Sequence, residues 1–346
     1  MSGAAELLRE EGKRSGLQVA IAVDSTALGP ALGGCRMWHY DSSAEGVEDA
    51  LRLAHAMTLK AAAAGLDLGG GKGVICLPNG RPGPEQRKAV LLDFADAVES
   101  FEGRYITAED VGTCADDMAV IATRSEHVVG MPARLGGRGD PSPITARGVE
   151  RAIRACWAHV RGSSDLSGVR ICVVGAGHVG MALVRRLGAA GAEVLVSDID
   201  SSRRTASAEL GATWVDPAEA MLVECDVLAP CALGGVVDEA SVDELRCSIL
   251  CGAANNVLAS DEMADRLLSR GIVYAPDFIA NAGGLIHVYA DLHGHPESRV
   301  DELVDSIGDT IGRVLAEADD SGTTPLVAAH ALARRRLEAG APAEAA

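Results

Sequence analysis

The stretch "VRICVVGAGHVG", Val169 to Gly180, decides the fold. A largely apolar run leads into Gly175, Gly177 and Gly180, spaced as G-x-G-x-x-G, and helix-forming residues follow. The next apolar run, "AEVLVSD", closes on Asp198, 23 residues after Gly175. Glycines in this spacing let the main chain meet a pyrophosphate at the positive end of a helix, here through Gly175, Ala176, Gly177, His178, Val179 and Gly180. A carboxylate at Asp198 can bond the ribose hydroxyls. The context of strand, turn and helix predicts a bound dinucleotide. Asp198 would repel a 2′-phosphate, which favours NAD over NADP. Arg203 and Arg204 lie close by and can neutralise such a phosphate, or simply form a solvated helix face.

Outward from that turn the same rhythm continues. From Thr145 onward, short apolar runs ("CDVLAP", "SILCGAAN", "GIVYAP") alternate with more polar helical stretches, which predicts a parallel sheet covered by helices on both faces. From about residue 297 the pattern is helical, with Val300, Leu303, Val304, Ile307 and Ile311 on one face. Toward the N-terminus, "LQVAIAVD", "GVICLP" and "RYITAED" read as strands. Between the first two, "AEGVEDALRLAHAMTLKAAAAG" reads as a helix with Val47, Ala50, Ala54, Met57 and Ala61 in register. The Gly- and Pro-rich "RLGGRGDPSP" is a natural boundary. The expected fold is therefore α/β in two domains with a cleft between them. Residues 1–140 form an α/β substrate and oligomerisation domain, joined by C-terminal helices at about 325–346. Residues 141–324 form a doubly wound Rossmann-type NAD-binding domain.

Composition narrows the function classes. The 346 residues are 48% hydrophobic and 23% charged, with a net charge of −18. Such an acidic chain lacks the basic face that nucleic acid requires. No apolar run reaches the ~20 residues that cross a bilayer, and "MSGAAELLREEGKRSG" has no signal-peptide core; a cytoplasmic location is expected. The nine cysteines are scattered, without metal-ligand spacing. "DLHGH" gathers Asp291, His293 and His295 but offers no distant third ligand, so no metal site is expected. Ala-rich apolar surfaces suggest a homo-oligomer.

A second stretch raises a chemical question. "GLDLGGGKGVI", Gly65 to Ile75, sets three glycines before Lys72. It is not a phosphate loop, because Leu66 stands where that motif needs glycine and Gly73 where it needs Ser or Thr. The glycines are expected to leave room for substrate and cofactor near one amine. Lys60, twelve residues earlier, continues the helical line of Leu53 and Met57; it is either a partly buried functional ammonium or a snorkelling residue at a helix end. Two lysines meeting in one pocket would depress each other's pKa, as would burial. Asp110, closing "ITAED", can supply a counter-charge or serve as an N-cap.

The segments "STALGPALGGCRMW", "AMTLKAAAAGLDLGGGKGVI", "RYITAEDVGT", "APCALGG", "GAANN" and "YAPDFIANAGG" resemble, in order, the leucine/phenylalanine/valine dehydrogenases, smaller relatives of glutamate dehydrogenase. The resemblance implies oxidative deamination of an L-amino acid to its 2-oxo acid and ammonia, with hydride passing from Cα to NAD. It implies that Lys72 is the general base, that Lys60 binds the substrate carboxylate with Gly33 and Asn255, and that Asp110 positions the amine or relays protons. Thr145, Cys231, Ala232, Ala254 and Asn255 would line the nicotinamide end, and Arg36 would face the cofactor.

The resemblance also implies a pocket of Leu32, Ala108, Leu285 and Val288 around the substrate side chain. Glutamate dehydrogenases carry a lysine at the place of Leu32, so a glutamate side chain would lie desolvated and unpaired here. Branched aliphatic substrates are expected, with phenylalanine as the alternative, because one methylene separates substrates by only ~1–3 kcal/mol. A protein that had kept only dinucleotide binding would be free to lose Lys60, Lys72 or Asp110, yet all are present.

Overall fold

The computed structural model describes residues 5–77, 80 and 82–340. Two compact units result. One holds the chain up to Gly139 together with Val288–His295 and the residues from Ala333 onward; the other holds Asp140–His287 and Pro296–Leu332.

The first unit is built on β1 (Glu6–Glu11), β2 (Gln18–Ser25), β3 (Ala31–His39), α1 (Ser43–Ala63), β4 (Gly69–Leu77), α2 (Pro84–Glu99), β5 (Tyr105–Glu109) and α3 (Ala115–Ile121). Its sheet runs in the order β1-β2-β4-β3-β5, antiparallel across β1, β2 and β4 and parallel from β4 through β3 to β5. The period of two divides each strand between the faces. Val19, Ile21 and Val23 join Ile75 and Leu77 over Val90, Leu91, Phe94 and Val98 of α2. Ala22, Val74 and Cys76 face Ala50 and Ala54 of α1. Ser42 caps α1, its side chain accepting from the Glu45 main-chain N–H.

The glycines before Lys72 have a different reason from the one expected. They form no turn; all nine residues of β4 are buried. A Cβ on Gly70 would lie 2.1 Å from the Thr58 nitrogen of α1, one on Gly71 2.7 Å from the Tyr105 ring, and one on Gly73 2.4 Å from the Phe94 ring. The missing side chains before the lysine admit α1 on one face and the Tyr105 ring on the other, rather than substrate and cofactor, and Gly73 after it admits the Phe94 ring. β1 was not foreseen either. It is a polar, exposed edge strand whose "ELLREE" lacks an apolar alternation.

The second unit comprises α4 (Ser142–Arg161), β6 (Arg170–Val174), α5 (His178–Ala189), β7 (Glu193–Ser197), α6 (Arg203–Glu209), β8 (Thr213–Trp214), β9 (Val227–Pro230), β10 (Ile249–Leu250), α7 (Glu262–Ser269), β11 (Val273–Tyr274) and α8 (Asp277–Ala280). Helices α9 (Gly283–Leu292), α10 (Glu297–Ser321) and α11 (Pro325–Ala339) complete the described chain, α9 and α11 each contributing to both units. The sheet is parallel throughout, in the order β11-β10-β9-β6-β7-β8, with the reversal of direction beside β6 that a doubly wound sheet requires. Val300, Leu303, Val304, Ile307 and Ile311 are buried along α10, which packs on α4. Among the described residues no helix is long and apolar enough to cross a membrane.

Candidate active site

Strand register assembles the lysine site. Leu32 pairs with Gly70 and Ile106, Gly34 with Ala108, and Arg36 with Val74. Paired residues on neighbouring strands share a face. Leu32, Ala108, Lys72 and Arg36 therefore point to the face on which α1 lies, and Asp110, two residues beyond Ala108, reaches the same place. Lys72 Nζ stands 2.9 Å from Asp110 Oδ2. Arg36 Nε donates to that same oxygen at 2.8 Å, and its NH1 donates to Asp49 Oδ2 of α1 at 2.9 Å. Tyr40 Oη and Arg52 complete the chain, donating to the Asp49 carboxylate at 2.7 and 2.6 Å.

Electrostatics follow from that crowding. Burial disfavours the Lys72 ammonium and lowers its pKa; Asp110 opposes this, and the Arg36 guanidinium adds to the lowering. Burial pushes the Asp110 carboxyl up, but Lys72 and Arg36 outweigh it and hold it below its ordinary value. The result is a buried amine that holds its proton less tightly than a free lysine, beside a carboxyl that ionises more readily than a free one. Arg36 is thus a cation that acts on Lys72. Arg36, expected to face the cofactor, places its guanidinium on the Asp110 and Asp49 carboxylates. Lys60 lies half-buried in the last turn of α1.

Gly33 has a steric duty as well. Its carbonyl accepts from the Tyr105 hydroxyl at 2.6 Å, and a Cβ there would collide with the Gly71 carbonyl. Leu32 and Ala108 are buried, apolar and on the Lys72 face, and Ile106, overlooked in the sequence, shares that face. Leu285 and Val288 sit three residues apart on α9, hence on one side of it.

The second unit holds the dinucleotide residues, and its geometry fits such a cofactor. Gly175 has φ 113°, and a Cβ on it would press on Ala232; a Cβ on Gly180 would strike the Gly175 carbonyl at 1.8 Å. A Cβ on Gly177 would meet nothing within 4 Å, so the space before the α5 N-terminus is open. Those are the three distinct duties of the glycines: tight turn, ligand approach and helix–strand packing. Asp198 stands at the end of β7 and accepts from the Ala176 and Asp200 main-chain N–H groups. Arg203 donates to the Ala176 carbonyl and reaches Asp200. Exposed His178 approaches Asp140 at 3.9 Å, and Val179 follows it in the first turn of α5.

Cys231 and Ala232 close on the same turn, the Cys231 N–H donating to the Val174 carbonyl. Ala254 is tied to Pro230 through its N–H. Thr145, buried in the first turn of α4, donates to the Pro141 carbonyl. One residue without an assigned role proves important: buried Asn281 donates to the Ala253 and Ala254 carbonyls and to Asn255 Oδ1, holding the "GAAN" loop. Its only sequence signal was membership in "YAPDFIANAGG".

Comparison with known proteins agrees with this geometry. Residues 4–127 match the model of the Glu/Leu/Phe/Val dehydrogenase dimerisation domain, and 195–340 that of the Glutamate/Leucine/Phenylalanine/Valine dehydrogenase family. Residues 146–240 also match the NAD-binding domain of D-isomer specific 2-hydroxyacid dehydrogenases. The chain is 44% identical over 328 residues to a leucine dehydrogenase of Bacillus cereus, covering 94% of this chain and 89% of that one. It is 41% identical to a valine dehydrogenase of Streptomyces virginiae, covering 94% and 92%. The solved structure of an L-tryptophan dehydrogenase from Nostoc punctiforme superposes with a TM-score of 0.85 at 35% identity, covering 96% of each chain. From its Rossmann turn to its buried lysine, the chain belongs to the glutamate/leucine/phenylalanine/valine dehydrogenase family.

Proposed function

We propose that this NAD-dependent amino-acid dehydrogenase oxidatively deaminates branched aliphatic L-amino acids, and that Lys72 is its general base. The observation that carries the reading is the 2.9 Å contact between the buried Lys72 amine and Asp110, on a sheet face shared with apolar Leu32 and Ala108. NAD, when bound, accepts the hydride that leaves Cα. The amine lone pair then forms the C=N bond of an iminium. Neutral Lys72 takes a proton from water as its oxygen attacks that carbon. Collapse of the resulting carbinolamine breaks the C–N bond: Lys72 returns its proton to the departing nitrogen, and the neutral amine takes the hydroxyl proton as that oxygen becomes the carbonyl. The 2-oxo acid and ammonia are released. Asp110 stays ionised throughout, which offsets the charge that Lys72 gains. Lys60, with Gly33 and Asn255, holds the substrate carboxylate.

The leucine and valine dehydrogenase relatives support an aliphatic substrate, as does the absence of any cation at Leu32. An aromatic substrate is the second reading, supported by the tryptophan dehydrogenase structure. The enzyme would be assayed with NAD and leucine, valine, isoleucine or phenylalanine, following absorbance of the reduced cofactor. Highest kcat/KM on a branched substrate is expected; a phenylalanine preference would favour the second reading, and no turnover would refute both. Assembly as a homo-oligomer is part of the same proposal, since the model covering 4–127 describes a dimerisation domain; light scattering would test it.

A further inference from the structure

Asp110 Oδ2 accepts from two cations at once, Lys72 Nζ at 2.9 Å and Arg36 Nε at 2.8 Å. The reaction as proposed uses only the lysine. Arg36 cannot pass a proton onward, because Asp110 and Asp49 outweigh burial and raise its pKa further. Its value must lie in where it sits and in its fixed charge. Asp49 holds it from α1, and Asp49 is held by Tyr40 and Arg52. Burial and Asp49 together push the Tyr40 hydroxyl well above its ordinary range, so it remains a donor. The outer end of the chain lines a cavity of about 550 Å³ that includes Trp38, Tyr40, Asp49 and Arg52.

We propose that Arg36, clamped by Asp49, is a positioning residue of the deamination: it aims the Asp110 carboxylate at Lys72 and sets the charge balance felt by that amine. The inference rests on Lys72 acting as the base. The groups that act on Lys72 are Asp110 after β5 and Arg36 and Cys35 on β3; Asp49 of α1 acts through Arg36, with Tyr40 and Arg52 beyond it. Helix α1 also carries Lys60, and β2, which pairs with β4, carries Asp24, bonded to Thr58 and near His55. Of these, Arg36 and Asp49 act in opposite senses. Arg36 opposes protonation of Lys72, so Arg36→Met strengthens the lysine's hold on its proton and also leaves Asp110 to Lys72 alone. Asp49 partly neutralises Arg36, so Asp49→Asn leaves the guanidinium uncompensated and weakens that hold.

The test is the pH dependence of kcat/KM for deamination of a branched amino acid by the full-length enzyme and its variants. Because the base must be neutral, the rate rises with pH through its pKa. Arg36→Met should move that midpoint up by about one pH unit, a roughly tenfold loss on the rising limb. Asp49→Asn should move it down. Arg36→Lys, which keeps the charge but loses the fork, should restore the midpoint while kcat stays below wild type. A purely structural role lowers the rate at every pH and leaves the midpoint in place. Unmoved midpoints, or shifts of Arg36→Met and Asp49→Asn in the same direction, overturn the proposal. Should Arg36→Met fail to fold, a midpoint for Asp49→Asn at or above wild type overturns it equally. Absence of turnover by the unmodified enzyme, seen before any variant is measured, sinks the functional reading itself.

Discussion

Gly33 and Gly71 lie so close across β3 and β4 that a Cβ on Gly33 would sit 1.6 Å from the Gly71 carbonyl oxygen. That contact brings the Leu32 main chain against the strand that carries Lys72. Since a backbone atom cannot swing aside, Gly33→Ala must spread the strands. Overpacking costs about 1–3 kcal/mol and at times more, so a clear drop in the thermal midpoint is expected together with loss of turnover. Gly312→Ala in α10 is the control: a Cβ there meets nothing within 4 Å, and alanine should stabilise a helix interior by up to about 1 kcal/mol. Thermal unfolding of both variants checks the contrast.

The glycines of the dinucleotide turn separate in the same way. A Cβ on Gly177 enters open space, whereas one on Gly180 strikes the Gly175 carbonyl at 1.8 Å. Gly177→Ala should melt like wild type but bind NADH more weakly, because only the ligand's approach is obstructed. Gly180→Ala should lower the melting temperature of the second unit. Fluorescence titration with NADH beside a melting curve distinguishes them.

How much of this was legible beforehand depended on range. The Rossmann turn is local, so Gly175, Gly177, Gly180 and Asp198 could be read within a few tens of residues. α10 announced itself through the period of Val300, Leu303, Val304, Ile307 and Ile311. The β4 glycines misled, because three in a row read as open space until Ser25, Thr58 and Tyr105 are seen to fill it. Nothing local links Arg36 to Asp110, 74 residues away, or Asn281 to Asn255. Residue roles at the lysine site came from family resemblance, and the electrostatics that give them meaning came from the folded sheet.

Substrate size should respond to Ala108, whose methyl lies on the Lys72 face beside Gly34. Ala108→Gly removes that methyl and should shift preference from leucine toward phenylalanine. One carbon in an apolar pocket is worth about 1–3 kcal/mol, or roughly 10–200-fold in relative kcat/KM. Competition between the two amino acids measures the ratio; an unchanged ratio would place the side-chain pocket elsewhere.

Acid stability has a definite sign. Buried Asp93 accepts from the Arg14 and Ser15 main-chain N–H groups and from both side chains. Burial raises its pKa, but those bonds outweigh it and hold the carboxyl below its usual range; Arg87 and Cys114 do the same for Asp117. A carboxyl lowered on folding contributes stability that is complete above its unfolded pKa of about 3.9 and is lost as pH falls through the folded value. The melting temperature should therefore hold down to about pH 5 and fall steeply below pH 4. Asp93→Asn should lower it at neutral pH and flatten the acid decline.

Central to the account is the buried Lys72 amine as the group that activates water. The most direct measurement is kcat/KM of Lys72→Ala on a branched amino acid, paired with NADH titration of the same protein. A fall of about 10²–10⁴-fold, the usual contribution of a positioned base, with NADH affinity unchanged is the predicted result. Turnover within a few-fold of wild type would contradict it.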